Sequence, residues 1–378
     1  MAKNDKKPLI RFKGFTDAWE QRKLNEMVDY ISSNLTASDA SKDGNYELYD
    51  ANNIIGRTNH EPIKTGYLTI IKDGAVGRIR KMPKNTMFIG TMGALKPINN
   101  SLDFVFSLLT RFSLSNEFSG STVPHIYFKD YGNNIYSVPK LKEQNKIGDL
   151  YCKLDNLITL HQRKYDKLVN VKKALLDKIF PKNGSKLPEI RFKGFFDAWE
   201  QRKLFDIANY RNGKAHENDI DENGNYIVVN SKFVSTNAEV KKFSIRQNEP
   251  LLKDEIAFVL SDVPNGRALA RTFLVPKTGI YTLNQRIAGI TPLKGTNPYY
   301  LYTILNRNKY FLSFDDGAKQ TNLSIVDMQK FEDFYPKENE QNKIGTMLNN
   351  FDNLITLHQR ECDKLKNIKK SLLERMFV

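Results

Sequence analysis

The residues able to carry catalysis in this 378-residue chain are few and are not spaced for it. The histidines are His60, His125, His161, His216 and His358, and none stands at a metal-ligand spacing from another. The two cysteines, Cys152 and Cys362, are far from any CxxC pattern, and reduced thiols are the expectation. A glycine-rich phosphate loop of the G-x-x-x-x-G-K-[ST] type is absent, as is a dinucleotide fingerprint. Asp254, Glu255, Asp315 and Asp316 are the acids a nuclease metal site would draw on. The other half of the chain does not reproduce that cluster, so they read as turn and surface residues.

What remains is recognition chemistry. Asn297-Pro298-Tyr299-Tyr300 resembles the N-P-P-Y motif of adenine methyltransferases, but the second Pro is missing and Pro298 fits a helix start. Basic and amide residues, by contrast, gather on expected loops. The first half offers Lys72, Arg78, Arg80, Lys81, Ser121, Thr122 and His125. The second offers Arg211, Lys214, Lys232, Arg267, Arg271, Asn284, Gln285, Arg286, Lys319, Gln320, Thr321 and Asn322. Arg and Lys can reach guanine O6 and N7, and Asn and Gln can bond adenine N6 and N7. The run Lys319–Asn322, after Asp316-Gly317, suits base-edge reading.

Composition agrees. A formal charge of +15 on a chain of globular composition points to a polyanion. Nucleic acid leads, with an acidic protein as the alternative. No apolar run reaches the roughly 18 residues of a membrane span, and MAKNDKKPLI lacks the apolar stretch of a signal peptide. A cytoplasmic protein without a membrane partner is expected.

The elements that must position these residues occur twice. IRFKGFTDAWEQRKL at Ile10–Leu24 returns as IRFKGFFDAWEQRKL at Ile190–Leu204, with Thr16 replaced by Phe196. Phe12, Phe15 and Trp19 read as an aromatic anchor. Glu143–Phe180 returns as Glu340–Phe377, and DNLITLHQR is identical in both. The chain is a tandem duplication with about 17 more residues in its second middle region. Apolar residues at steps of three and four predict a heptad seam. It comprises Ile147, Leu150, Leu154, Leu157, Leu168, Val171 and Leu175, and Ile344, Met347, Phe351, Leu354, Leu365, Ile368 and Leu372. Two helices of roughly 55 Å, paired antiparallel, are expected. His161 and His358 fall on that seam, where a polar residue fixes register. Lys153, Asn156, Gln162, Arg163, Asn350, Asn353, Gln359 and Arg360 are expected on the outer faces.

The middle regions share landmarks but little sequence. Gly44-Asn45-Tyr46 corresponds to Gly224-Asn225-Tyr226, Gly77-Arg78 to Gly266-Arg267, and Gly120 to Gly317. Leu102–Arg111 and Pro298–Arg307 read as one short helix in each half. Tyr67–Ile71, Thr86–Ile89, Tyr226–Asn230 and Glu255–Leu260 read as strands. The predicted fold is α+β: two mixed α/β domains held apart by two long antiparallel helices, with a pseudo-two-fold internal repeat. The expected divisions are 1–140, 141–180 (first long helix), 181–187 (linker), 188–337 and 338–378 (second long helix).

RFKGFTDAWEQRKL with RFKGFFDAWEQRKL, and PKLKEQNKIG with PKENEQNKIG, resemble the specificity subunit of a type I restriction–modification system. The resemblance covers essentially the whole chain. It implies target-recognition domains that each read half of a bipartite site on double-stranded DNA through the major groove. It implies helices that set the spacing and dock two modification (methyltransferase) subunits, which restriction (translocase–nuclease) subunits join. It implies no catalysis and no cofactor in this chain, with S-adenosylmethionine, ATP and Mg2+ on the partners. A stand-alone DNA-modifying enzyme and a coiled-coil adaptor for an acidic protein are the competing readings.

Overall fold

The computed structural model describes residues 7–115, 124–182 and 184–378. Gly120, Ser121, Thr122 and Asn183 lie outside the described residues. Four helices matter below: α1 (Leu102–Arg111), α2 (Leu141–Ile179), α3 (Pro298–Leu305) and α4 (Glu338–Met376). The chain forms two compact units. The first comprises residues up to Lys164 together with His358–Val378, and the second is Tyr165–Leu357. Each long helix therefore contributes to both units.

In the first unit, strands Val28–Ser32, Met92–Pro97, Tyr67–Ile71 and Ile79–Met82 lie in that order in an antiparallel sheet. A three-stranded mixed sheet orders Ile54–Thr58, Tyr46–Tyr49 and Thr86–Phe88. Tyr67–Ile71 is buried along its whole length. Because strand side chains alternate, Leu68 and Ile70 join a core with Trp19, Phe104 and Leu108, while Tyr67 and Ile71 join another with Phe88 and Met92. The second unit repeats this with Ala208–Asn212, Ile287–Pro292, Ile256–Val259 and Thr272–Leu274. There Ile256 and Phe258 face one core, and Ala257 and Val259 the other.

The repeated motifs explain how each domain grips its helix. Arg11 makes a two-pronged ion pair with Glu143 (2.7 and 2.8 Å), and Arg191 does the same with Glu340 (2.7 Å for both). The next residue of each helix, Gln144 or Gln341, accepts the backbone N–H of Ser101 or Asn297, the N-cap of α1 or α3. Those caps accept from Phe104 N (3.4 Å) and Tyr300 N (2.9 Å), which starts each short helix. Gly148 and Gly345 make the approach possible. A Cβ at Gly148 would stand 2.8 Å from Asp103 Cβ, and one at Gly345 2.5 Å from Asn297 Oδ1. Trp19 and Trp199, each 2% exposed, fill the space behind, against Phe377 and Phe180 respectively.

Within the first unit the helix halves run antiparallel: Lys369 meets Asp155 (2.5 Å), Cys362 faces the Ile158 carbonyl, and His358 meets His161. The two imidazoles share a hydrogen bond of 3.0 Å between Nδ1 atoms, so repeat-equivalent histidines do sit at the contact. Burial of His358, reinforced by His161 and Lys164, pushes its pKa below the ordinary imidazole value. The second unit holds the repeat-equivalent bridge, Lys172 to Asp352.

The seam itself differs from the heptad reading. The buried line runs through Ile147, Tyr151 and Leu154, then on to Ile158 and His161, and in the other copy through Ile344 and Leu348. Tyr151 and Leu348 take the places expected of Leu150 and Met347, which are only half-buried, and after Leu154 the step is four residues, not three. Leu157 and Leu354 are consequently turned outward, at 44% and 43% exposed, as are Leu160 and Leu357 at 46% and 50%. Val171 and Ile368 are exposed as well. A two-helix contact buries a narrow stripe, and the apolar positions here cover more than one stripe.

Candidate nucleic-acid interface

Each unit builds the same backbone array at one edge of its sheet. In the first, the Lys72 N–H donates to Thr91 O (2.9 Å) and the Ile126 N–H donates to Lys72 O (3.1 Å). In the second, Leu260 N–H donates to Arg286 O (3.2 Å) and Leu323 N–H to Leu260 O (2.8 Å). The next residues form a bridge in both: Asp73 with His125, and Ser261 with Asn322. A hairpin turn follows in each, and Gly77 shows why its landmark is glycine. It has φ +77°, and a Cβ there would stand 2.5 Å from the Leu114 carbonyl carbon.

The side chains on the two arrays are unlike. In the first unit His125 Nδ1 and Asp73 Oδ1 form a 2.5 Å hydrogen bond. In the second, Gln320 Nε2 donates to Ser261 Oγ (2.9 Å) and to Asn322 Oδ1 (3.3 Å). The loop ahead of them is ordered by its acids. Asp315 accepts from Gly317 N, and Asp316 accepts from Ala318 N and Lys319 N. Those backbone N–H groups hold the Asp316 carboxyl below the usual range. Asp262 is likewise occupied by the Ala268 and Leu269 N–H groups. The acids of this edge are thus spent on its backbone. Among the described residues, no protein acceptor meets the side chains of Arg267, Arg286 or Lys319.

The structure therefore gathers Arg267, Arg286, Lys319, Gln320 and Asn322 at one edge of the second unit, with Asn284 bridged to Lys214 in the turn that leads to Arg286. It places Lys72 and His125 at the matching edge of the first. Ser121 and Thr122 lie outside the described residues. Other candidates are engaged elsewhere. Arg78 and Arg80 bond the Ala51–Asn52 turn, and Lys81 pairs with Asp103 of α1 (2.6 Å). Arg211 spends all five N–H groups on Glu249, Glu255, Thr291 and the Pro250 carbonyl. Burial raises the Glu255 carboxyl, but Arg211, the Leu252 N–H and Thr291 outweigh it and hold it below its ordinary value. Lys214 pairs with Glu249 (2.9 Å), Gln285 donates to Glu217 (2.9 Å), and Arg271 donates to the Arg267 carbonyl (2.7 Å). Lys232 is exposed on the short helix Ser231–Ser235. Thr321 turns inward, because Gln320 and Asn322 take the outer face of the strand. Asp73, Thr91, Ser261 and Val263 also belong to these edges. Only the landmark glycines Gly77 and Gly266 pointed toward them in the sequence.

The remaining chemistry is structural. Asn297-Pro298-Tyr299-Tyr300 is a helix start: Asn297 caps α3, Pro298 occupies its first turn and Tyr300 is buried. His216 is buried between the Lys214 carbonyl (2.8 Å) and Thr282 Oγ1 (2.7 Å). Among the described residues, no group of three or more His, Cys, Asp or Glu side chains could hold a metal ion. No helix among them is long and apolar enough to cross a membrane.

Two edges of one design with different side chains are what a reader of two different targets requires. The type I restriction modification DNA specificity domain matches residues 16–170 and again residues 197–367. The chain belongs to this family. As a type I specificity subunit it carries two DNA specificity domains, binds DNA and assembles into a restriction–modification complex, contributing target choice rather than catalysis. It is 22% identical over 412 residues to the type I restriction enzyme MjaVIII specificity subunit of Methanocaldococcus jannaschii, covering 95% of this chain and 92% of that one. The MjaIX specificity subunit of the same organism is 29% identical over 100 residues, or 26% of this chain and 23% of that protein. The crystal structure of a type I S subunit from M. genitalium shares the fold, with a TM-score of 0.72 at 16% identity, covering 98% of this chain and 99% of that one.

Proposed function

We propose that the two edges each read one half of an asymmetric, gapped site through the major groove of double-stranded DNA. The observation that carries this is the repeated hydrogen-bond array with Asp73–His125 in one unit and Ser261, Gln320 and Asn322 in the other. Unlike readers require unlike half-sites, so the full site is not a palindrome. The exposed leucines of DNLITLHQR give the partner reading its physical basis. Leu157 and Leu160, and Leu354 and Leu357, stand outward on otherwise polar helix faces in both copies. Each pair docks one modification subunit, and restriction subunits join that assembly. S-adenosylmethionine belongs to the modification subunits, and ATP with Mg2+ to the restriction subunits.

The test is a domain exchange. Residues 25–139 are replaced by the corresponding region of another specificity subunit, and methylated adenines are mapped in cells carrying the chimera and the modification subunits. One half of the target should change and the other should persist. A change in both halves, or in neither, would refute modular reading.

A further inference from the structure

We infer that the second unit recognises an A·T base pair through Gln320 and Asn322, which makes this amide pair a determinant of its half-site. The inference rests on the half-site reading above. Gln320 and Asn322 lie two residues apart on one strand face, and their amides are joined: Gln320 Nε2 sits 3.3 Å from Asn322 Oδ1. Ser261 Oγ, 2.9 Å away, locks the Gln320 end. This leaves Gln320 Oε1 as an outward acceptor and Asn322 Nδ2 as an outward donor. Reversing both amides together exchanges the roles, yet the pair still presents one donor and one acceptor.

That pattern selects among bases. In the major groove guanine offers two acceptors, cytosine one donor, and thymine one acceptor beside a methyl group. On a single base, adenine alone offers an acceptor, N7, next to a donor, N6–H; a G·C pair sets guanine O6 beside cytosine N4–H across two bases, and the 7-deazaadenine measurement below separates the two. Val263, two residues beyond Ser261 and 61% exposed, supplies an apolar surface at the same edge for the thymine methyl group. Lys319 precedes Gln320 and the Arg286 carbonyl accepts from Leu260 beside Ser261; among the described residues neither cation meets a protein acceptor, which leaves both for the phosphates. Among the described residues of the first unit, His125 and Asp73 occupy the equivalent bridge. This amide pair is therefore a determinant of the second unit's half-site.

The experiment uses the chain in complex with its modification subunits. Genome-wide mapping of methylated adenines gives the target, and exchanging residues 205–336 assigns the half read by the second unit. Binding is then measured on duplexes carrying 7-deazaadenine, which lacks the N7 acceptor, at each adenine of that half in turn. At one position the unmodified complex should lose about ten- to hundredfold in affinity. Gln320→Ala and Asn322→Ala should bind ordinary DNA more weakly and be indifferent to 7-deazaadenine there. Lys319→Ala should weaken binding to every duplex alike while keeping the 7-deaza penalty. If the exchange moves the half-site but no position shows a penalty that the two alanine variants abolish, the inference is overturned and modular reading stands. If the exchange leaves the half-site unchanged, the modular reading fails first and this inference with it.

Discussion

The two units differ where they meet solvent at one edge and agree where they grip the long helices. Arg11–Glu143 and Arg191–Glu340 are the same buried ion pair, Gln144 and Gln341 pin the same cap, and Gly148 and Gly345 admit it. At the sheet edge, Asp73–His125 stands where the second unit has Ser261–Asn322. The fold tolerates this because the edge is held by backbone hydrogen bonds, which do not depend on side-chain identity. A third class sharpens the contrast. Leu157, Leu160, Leu354 and Leu357 are exposed and yet identical between copies. Packing within a unit does not account for them, and the docking surface proposed above does.

The largest effect should come from breaking what the units share. In Arg191→Ala, Glu340 is left buried and unpaired, at a cost of about 3–5 kcal/mol. Each unit contains one tryptophan, so denaturant melts of Trp19→Phe and Trp199→Phe backgrounds read the units separately. Arg191→Ala should lower the Trp199 transition, and Arg11→Ala the Trp19 transition.

A smaller effect should separate the units by pH. The second buries Arg211 against Glu255 where the first has Ile31 and Tyr67 at the matching strand positions. The folded Glu255 carboxyl lies below its ordinary value of 4.5. Its contribution is therefore complete above about pH 4.5 and is lost as the pH falls through the folded value. Asp333, raised by burial, acts in the opposite sense, so the comparison needs a control. Between pH 6 and pH 3 the second unit's stability should fall more steeply in the parent than in Glu255→Gln; equal slopes would remove the ion pair from the account.

The smallest effect on stability, under about 0.5 kcal/mol, is expected for Leu157→Ser with Leu160→Ser, since both side chains already stand half in water. Association with the modification subunit should nevertheless weaken by tenfold or more in a sedimentation or calorimetric titration. A double variant that melts early but still assembles would return these leucines to the helix seam.

Much of this was legible in the sequence. The duplicated anchor and helices were visible as repeats, Leu102–Arg111 is the α1 helix residue for residue, and the meeting of His161 with His358 followed from their seam positions. The seam's register was not legible, because Leu150 and Tyr151, Met347 and Leu348, and Leu157 and Ile158 are adjacent apolar pairs and the spacing permits a step of three or four at each. The two edges proposed to read DNA were hidden for a different reason. Lys72, Thr91 and Ile126 are brought side by side by backbone bonds between distant segments, and periodicity reports only local order. Arg211 looked like a free cation because its acids, Glu249 and Glu255, lie 38 and 44 residues away.

The division of the long helices has a consequence for how the polypeptide matures as it leaves the ribosome. Tyr165–Leu357 is one uninterrupted stretch and holds every residue of its own unit before synthesis reaches His358. The unit that starts first must wait for the last: Trp19 has no Phe377 to pack against until the final turn of α4 has been made. The domain translated earlier is thus the one completed later, and until then the apolar surface that Phe377 covers stays open.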